Sequence, residues 1–492
     1  MQSTSTTSRP RSRDLLEAVV VAGLAVLLFA VVFQERLFGD GPLQLLSYRR
    51  GGATGHALHF QLVQVLGALG LGVTTAARAA SYLPAGLALG LFHLALTSLG
   101  YARTSARVGV FALALTPSAF FFATSIEVHG LQLFGACLGF LLAAIVVRTE
   151  TSLAGRVLAF IGAALALALT HPMNAPAGAG LLALAFVGLR SAGVAWRRIL
   201  LGGTALALVA LTAGAWMTYH YIQRHNFEDG TLLATFRWHP SITSDQSGLP
   251  MPLHNLVEAV LRPVAWLWLP GLLGLAALWR CPQRRGLALG LTLWFVPLVV
   301  LLAGPEFHER GAYFLVALPA LALGAAELHR LGLQAASQRL GIGLLALVAL
   351  SLSFQLGTTV LSIRDWDRPP PPEAAEWVAG LREVSAGRGI FLAADIHQQD
   401  WSRSWAGLQA DNMRLFLALP LPELEAQAHQ YALWAVAAAE DGEPLWLDSA
   451  IIDLAPGLPP LARAVEVLGE HFDFTPVTAR GFQGYLGERR EP

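Results

Sequence analysis

Lysine is absent from this chain of 492 residues, so all 33 basic residues are arginine. An all-arginine complement reads as codon usage rather than as the signature of any one site. Charge of either sign is scarce, because 33 acidic residues balance the arginines and charged residues make up only 13% of the chain. That balance excludes the basic stripe that a nucleic-acid surface requires. Cysteine is almost missing too: Cys137 lies inside an apolar run and Cys281 in a short basic loop. A disulfide framework is thereby excluded, and two free thiols are expected. What fills the space is apolar, with 54% hydrophobic residues and a mean hydropathy of +0.53, well above a soluble domain. The composition is that of a polytopic membrane protein.

Residues 1–14 are rich in Ser and Thr and carry Arg9, Arg11 and Arg13, which predicts a disordered basic leader on the cytoplasmic side. Apolar runs of spanning length, roughly 17 to 25 residues, follow at 15–34, 79–99, 106–123, 128–147, 154–170, 174–190, 199–220, 260–279, 286–304, 310–328 and 341–362. They predict eleven membrane helices. The first run has no small-residue cleavage site after it and reads as a retained helix. If it exits outward, the loops with Arg103 and Arg107, Arg148 and Arg156, Arg190, Arg197 and Arg198, Arg280, Arg284 and Arg285, and Arg330 and Arg339 all face the cytoplasm. A bacterial inner-membrane protein with its C-terminal part outside is the expectation. Residues 56–72 have helical spacing of apolar positions and read as an interfacial helix, and 221–255 read as a polar outer loop. The prolines in 363–372 predict a stiff linker. Beyond it, 373–492 alternate helix-like and strand-like segments, a small α/β domain on the outer face whose Asp395, His397 and Asp400 read as a solvated loop.

The first polar loop, Phe33-Gln-Glu-Arg-Leu-Phe-Gly-Asp-Gly-Pro-Leu-Gln44, places Glu35 and Asp40 where a helix leaves the bilayer. Glycines on both sides of Asp40 allow a close approach to a substrate; solvated loop charges are the alternative. Arg49, Arg50, His56 and His59 follow, Ser125–His129 adds Glu127 and His129, Thr170–Asn174 adds His171, and Gly304–Arg310 adds His308 and Arg310. Ionisable groups at membrane depth are costly and line polar cavities or pair with one another. The expectation is a cleft at the outer interface. Each member also has a plainer role: His171 before Pro172 as a helix cap, Arg310 beside Glu309 as a snorkelling pair. On a continuous helix Glu127 and His129, two apart, would point in different directions. Neither a metal site nor a cofactor is predicted.

Taken in order, these motifs resemble those of the GT-C membrane glycosyltransferases, and more narrowly the protein O-mannosyltransferase-like family. Gly39-Asp40 with His56-Ala-Leu-His59 is similar to that family's first outer loop, Ile126-Glu127-Val128-His129 and His171-Pro172 to two later motifs, and Phe307–Pro319 to its Glu-Arg-Tyr pattern with a downstream proline. The similarity spans about 15–330; Gly41-Pro42-Leu43 replaces the usual Ser-Gly-Glu, and the His segment lacks its prolines. The resemblance implies an all-α polytopic fold and transfer of a sugar from a polyprenyl-phosphate donor to a protein, lipid or glycan hydroxyl. In that reading Asp40 is the base and Arg310 the phosphate ligand. Glu127, His129, His171, His308, His56 and Glu35 line the substrate site. A transporter or flippase for a lipid-linked saccharide would use a similar cavity but should show internal repeats, and none is evident; a catalytically dead scaffold is a third reading.

Overall fold

In the computed structural model, the described residues are 12–34, 36, 37, 44, 45, 48, 57–148, 150–199, 201–203, 251–303, 309–366, 372–386, 388–393, 414–417, 436, 444–457 and 459–490. The chain divides into two compact units. One comprises Met1–Phe33, His56–Thr124 and Val128–Ile363; the other comprises Gln34–Gly55, Ser125–Glu127 and Arg364–Pro492.

The first unit is helical. Its elements are α1 (Ser12–Val31), α2 (Ala57–Ala68), α3 (Val73–Ser98), α4 (Arg103–Ala114), α5 (Pro117–Ala123), α6 (His129–Val147) and α7 (Leu153–Thr170). A 3-10 helix over Pro172–Ala177 leads into α8 (Gly178–Ser191). Then come α9 (Pro252–Arg280), α10 (Arg285–Leu302), a 3-10 helix over Glu309–Ala317 that leads into α11 (Leu318–Gln334), and α12 (Gln338–Trp366). Among the described residues nine stretches are long and apolar enough to cross a membrane, and α4 with α5, bent by 72°, makes a tenth. Ten of the eleven expected runs thus have a counterpart; the run at 199–220 lies outside the described residues from position 204 on, as does the expected polar loop at 221–255 up to position 250, while its last residues, from Met251, are helical instead. The run expected at 106–123 is the bent pair. Pro117 opens α5 at the bend, where its missing N–H breaks the helical ladder.

Most of α11 is buried, 94% of its spanning window, which makes it the central helix of this unit. Small residues let its neighbours approach: a Cβ on Gly274 of α9 would strike the Gly324 backbone of α11, and one on Gly324 would strike Gly271. Such backbone contact is how membrane helices gain packing without a hydrophobic driving force.

The arginines cluster with acids at one end of this bundle. Asp14 and Glu17 of α1 meet Arg103 at 2.7 Å and Arg107 at 2.5 Å in turn, and His93 Nε2 stands 3.3 Å from Glu17. Glu327, 1% exposed, holds Arg330 at 2.5 Å and Arg284 at 3.0 Å. Arg284 also stacks over the Tyr101 ring at 5.4 Å, while burial, then the Glu327 carboxylate, push the Tyr101 phenol up. The N-terminal basic leader lies outside the described residues up to position 11, and α1 begins at Ser12 rather than 15 because these arginines neutralise Asp14 and Glu17.

The second unit contains a five-stranded sheet in the order β2-β1-β3-β5-β4. The strands are β1 (Ile390–Ala393), β2 (Arg414–Leu417), β3 (Leu445–Asp448), β4 (Phe472–Ala479) and β5 (Phe482–Arg489). β1 pairs in parallel with β2 and β3, and β5 pairs antiparallel with β3 and β4. Alternation sends Phe391 and Trp446 to a core with Trp377, Val378 and Leu381 of α13 (Pro372–Ser385). Ile390, Leu392, Leu445 and Leu447 go to the other face, against α14 (Ser449–Leu454) and α15 (Pro459–His471). Both faces of the parallel centre are therefore covered, as parallel strands require. The Asp395, His397 and Asp400 loop lies outside the described residues.

Candidate active site

The start of α6 is held against α3 and against the end of α7 by two glycines. A Cβ on Gly130 would overlap the Ser81 carbonyl of α3, and one on Gly135 would overlap Thr170, the last residue of α7. Only glycine permits both approaches, and the residue after Thr170 is His171. The consequence is that His129, first residue of α6, and His171 come to lie with their rings 5.3 Å apart. Tyr313, in the 3-10 helix before α11, completes the group at 5.9 Å from His129 and 6.0 Å from His171. Phe122 of α5 closes the apolar side, 4.7 Å from the His129 ring.

Local bonds hold each imidazole through its Nδ1. The Met173 backbone N–H donates to His171 Nδ1 at 3.2 Å, and His129 Nδ1 pairs with the Gln132 side-chain amide at 2.7 Å. Each ring is thereby fixed in orientation. Asn174 ties the assembly together, donating to Thr170 Oγ1 at 3.0 Å and to the Gln132 carbonyl at 3.4 Å. His129 and His171 are 4% and 5% exposed, so the cluster is dry enough for these bonds to hold their geometry.

In the second unit the Glu127 carboxylate accepts from Gln44 Nε2 at 3.2 Å, both side chains being buried. Gln44 lies four residues after Asp40, so the Ser125–Glu127 turn and the first polar loop are joined there. Glu127 stands in the bend before α6 and not on it. The helical spacing expected to separate it from His129 therefore does not apply. His171 does cap a helix, as its plainer role supposed: it ends α7 and begins the next 3-10 turn. Glu35, Asp40, His56 and His308 lie outside the described residues. Arg310 is the second residue of the 3-10 helix that carries Tyr313.

Two crystal structures share the overall fold of this chain. ArnT from Cupriavidus metallidurans in the apo state matches with a TM-score of 0.60 at 15% identity, covering 97% of this chain and 98% of that one. The same protein bound to undecaprenyl phosphate matches with a TM-score of 0.61, again at 15% identity, covering 96% and 98%. The fold is GT-C. No protein-family model matches the sequence and no curated protein aligns with it.

Three members of this buried cluster were not among the residues expected from sequence: Gln132, Asn174 and Tyr313. Each carried a local signal. Gln132 is one helical turn after His129, Asn174 ends the Thr-His-Pro-Met-Asn segment, and Tyr313 lies one 3-10 turn after Arg310, where residues three apart eclipse.

Proposed function

We propose that this protein is a membrane glycosyltransferase that moves a sugar from a polyprenyl-phosphate donor to an acceptor hydroxyl. The observation that carries the reading is the end-to-end fold correspondence with a protein crystallised with undecaprenyl phosphate. The buried histidine pair beside Tyr313 supports it, because such polar groups suit a ligand rich in hydroxyls. In the reaction the acceptor oxygen forms a bond to the anomeric carbon as the bond from that carbon to the phosphate oxygen breaks. The acceptor proton passes to a base, and the polyprenyl phosphate leaves with the electron pair.

Asp40 is the base and Arg310 the ligand of the departing phosphate. Glu127, His129, His171, His308, His56 and Glu35 position donor and acceptor, with Tyr313 added to that set. The protein O-mannosyltransferase-like kinship, and the outer face of a bacterial inner membrane as the place of reaction, belong to the same reading. Asp40→Asn keeps shape but loses charge and proton acceptance, so transfer should fall by about 100-fold or more while donor binding persists. The measurement is a mass comparison of surface glycans and glycoproteins in cells lacking the protein, complemented with wild type or with the variant. Identical glycans in all three strains would overturn the reading.

A further inference from the structure

The pair of helices that meets at His171 carries a large groove along its length. On α7, Leu153, Val157 and Phe160 recur at i, i+4 and i+7; on α8, Ala179, Ala183 and Phe186 recur at i, i+4 and i+7. Helical geometry makes each set one stripe. The stripes face each other across a half-open cavity of about 1130 Å³ that Leu293 of α10 also lines. Ordinary small-ligand clefts measure roughly 300 to 1,000 Å³, so this one exceeds the size that a sugar or nucleotide needs, and its walls offer such ligands almost no polar partner.

One end is different. Arg198 lines the groove where the chain leaves α8, Arg197 stacks over the exposed Trp196 ring at 5.6 Å, and Arg190 precedes them in the last turn of α8. Arginine with an exposed tryptophan beside an apolar surface is the pattern of a membrane interface, where the ring sits at headgroup level. The groove thus joins a long apolar trough to a cationic mouth. No acidic side chain is among its described lining residues.

We infer that this groove binds one anionic glycerophospholipid of the surrounding bilayer, its acyl chains lying between α7 and α8 and its headgroup on Arg198. The occupant follows from the two halves of the groove: apolar chains match the stripes, and a negative headgroup matches an arginine that has no acidic partner in the lining. The site is separate from the sugar-transfer reading, because it shares no residue with it. Chain beyond Gly203 is the rival occupant.

The test uses the full-length protein in detergent with palmitoyl-oleoyl phosphatidylglycerol or the corresponding phosphatidylcholine, read by native mass spectrometry. Wild type should retain one phosphatidylglycerol in preference to phosphatidylcholine. Arg198→Gln, an exposed substitution that leaves folding intact, should lower that retention by about fivefold, the scale of one arginine near an anionic surface. Ala183→Trp fills the trough and should abolish retention of both lipids. Equal retention of both lipids by wild type and Arg198→Gln would mean ordinary annular lipid and would overturn the inference. So would a wild type that retains neither, the outcome expected if the chain itself fills the groove.

Discussion

Arg310 enters the 3-10 helix three residues before Tyr313, and this spacing gives a residue-scale test of donor binding. A guanidinium grips phosphate with paired N–H donors, whereas an ammonium is a point charge. Arg310→Lys should weaken binding of a polyprenyl-phosphate sugar, and Arg310→Ala should weaken it by about 10- to 100-fold, the worth of charged hydrogen bonds. Neither should move the melting temperature by much. Glu309→Gln is the control: if Arg310 only paired with this neighbour, the three variants would share one small stability change of about 0 to 1 kcal/mol and unaltered donor affinity. Titration of donor against each purified variant separates the outcomes. Gly311 makes the register of this helix hard to alter, since its φ of 76° is a left-handed conformation and a Cβ there would meet Pro263. Substitution at Gly311 is therefore a poor control.

At the scale of elements, the joint between α10, α11 and the turn at Tyr101 rests on Glu327. Its carboxylate is buried and takes hydrogen bonds from Arg284 and Arg330. Glu327→Gln leaves two arginines facing a neutral amide in a buried place, which should cost about 3 kcal/mol and lower the melting temperature without changing donor affinity. A scan that matches wild type would show the pair to be solvated. The spans were legible in sequence because apolar runs of membrane length have few other readings. Their starts were less so: α3 begins at Val73, ahead of the expected 79, because Thr74, Thr75 and Arg78 break the apolar run without breaking the helix. Likewise β4 carries Pro476, which argues against a strand, yet β4 lies at the sheet edge, where a missing N–H costs nothing. The histidines of the site were readable as rare polar groups in apolar chain. Their partners were not, because which turn of α6 meets the end of α7 is decided by Gly135 fitting Thr170, a three-dimensional fact.

For the whole molecule, orientation is the open quantity, and the arginine distribution gives it a direction. Arg103, Arg107, Arg284 and Arg330 gather at one end of the bundle, and the positive-inside rule predicts a cytoplasmic place for that end. A reporter enzyme active only outside the cytoplasm, fused after Pro492, should then be active, and activity of a cytoplasm-only reporter at that position would reverse the topology. The bend between α4 and α5 has a consequence in time. Leu115, at the bend, turns its carbonyl to the Thr359 hydroxyl of α12, which donates to it at 2.6 Å across 244 residues. Lipid offers no substitute donor. During synthesis the bend is made early and its partner arrives with the last membrane helix, so the ribosome has nearly finished the bundle before this carbonyl acquires the hydrogen bond it keeps.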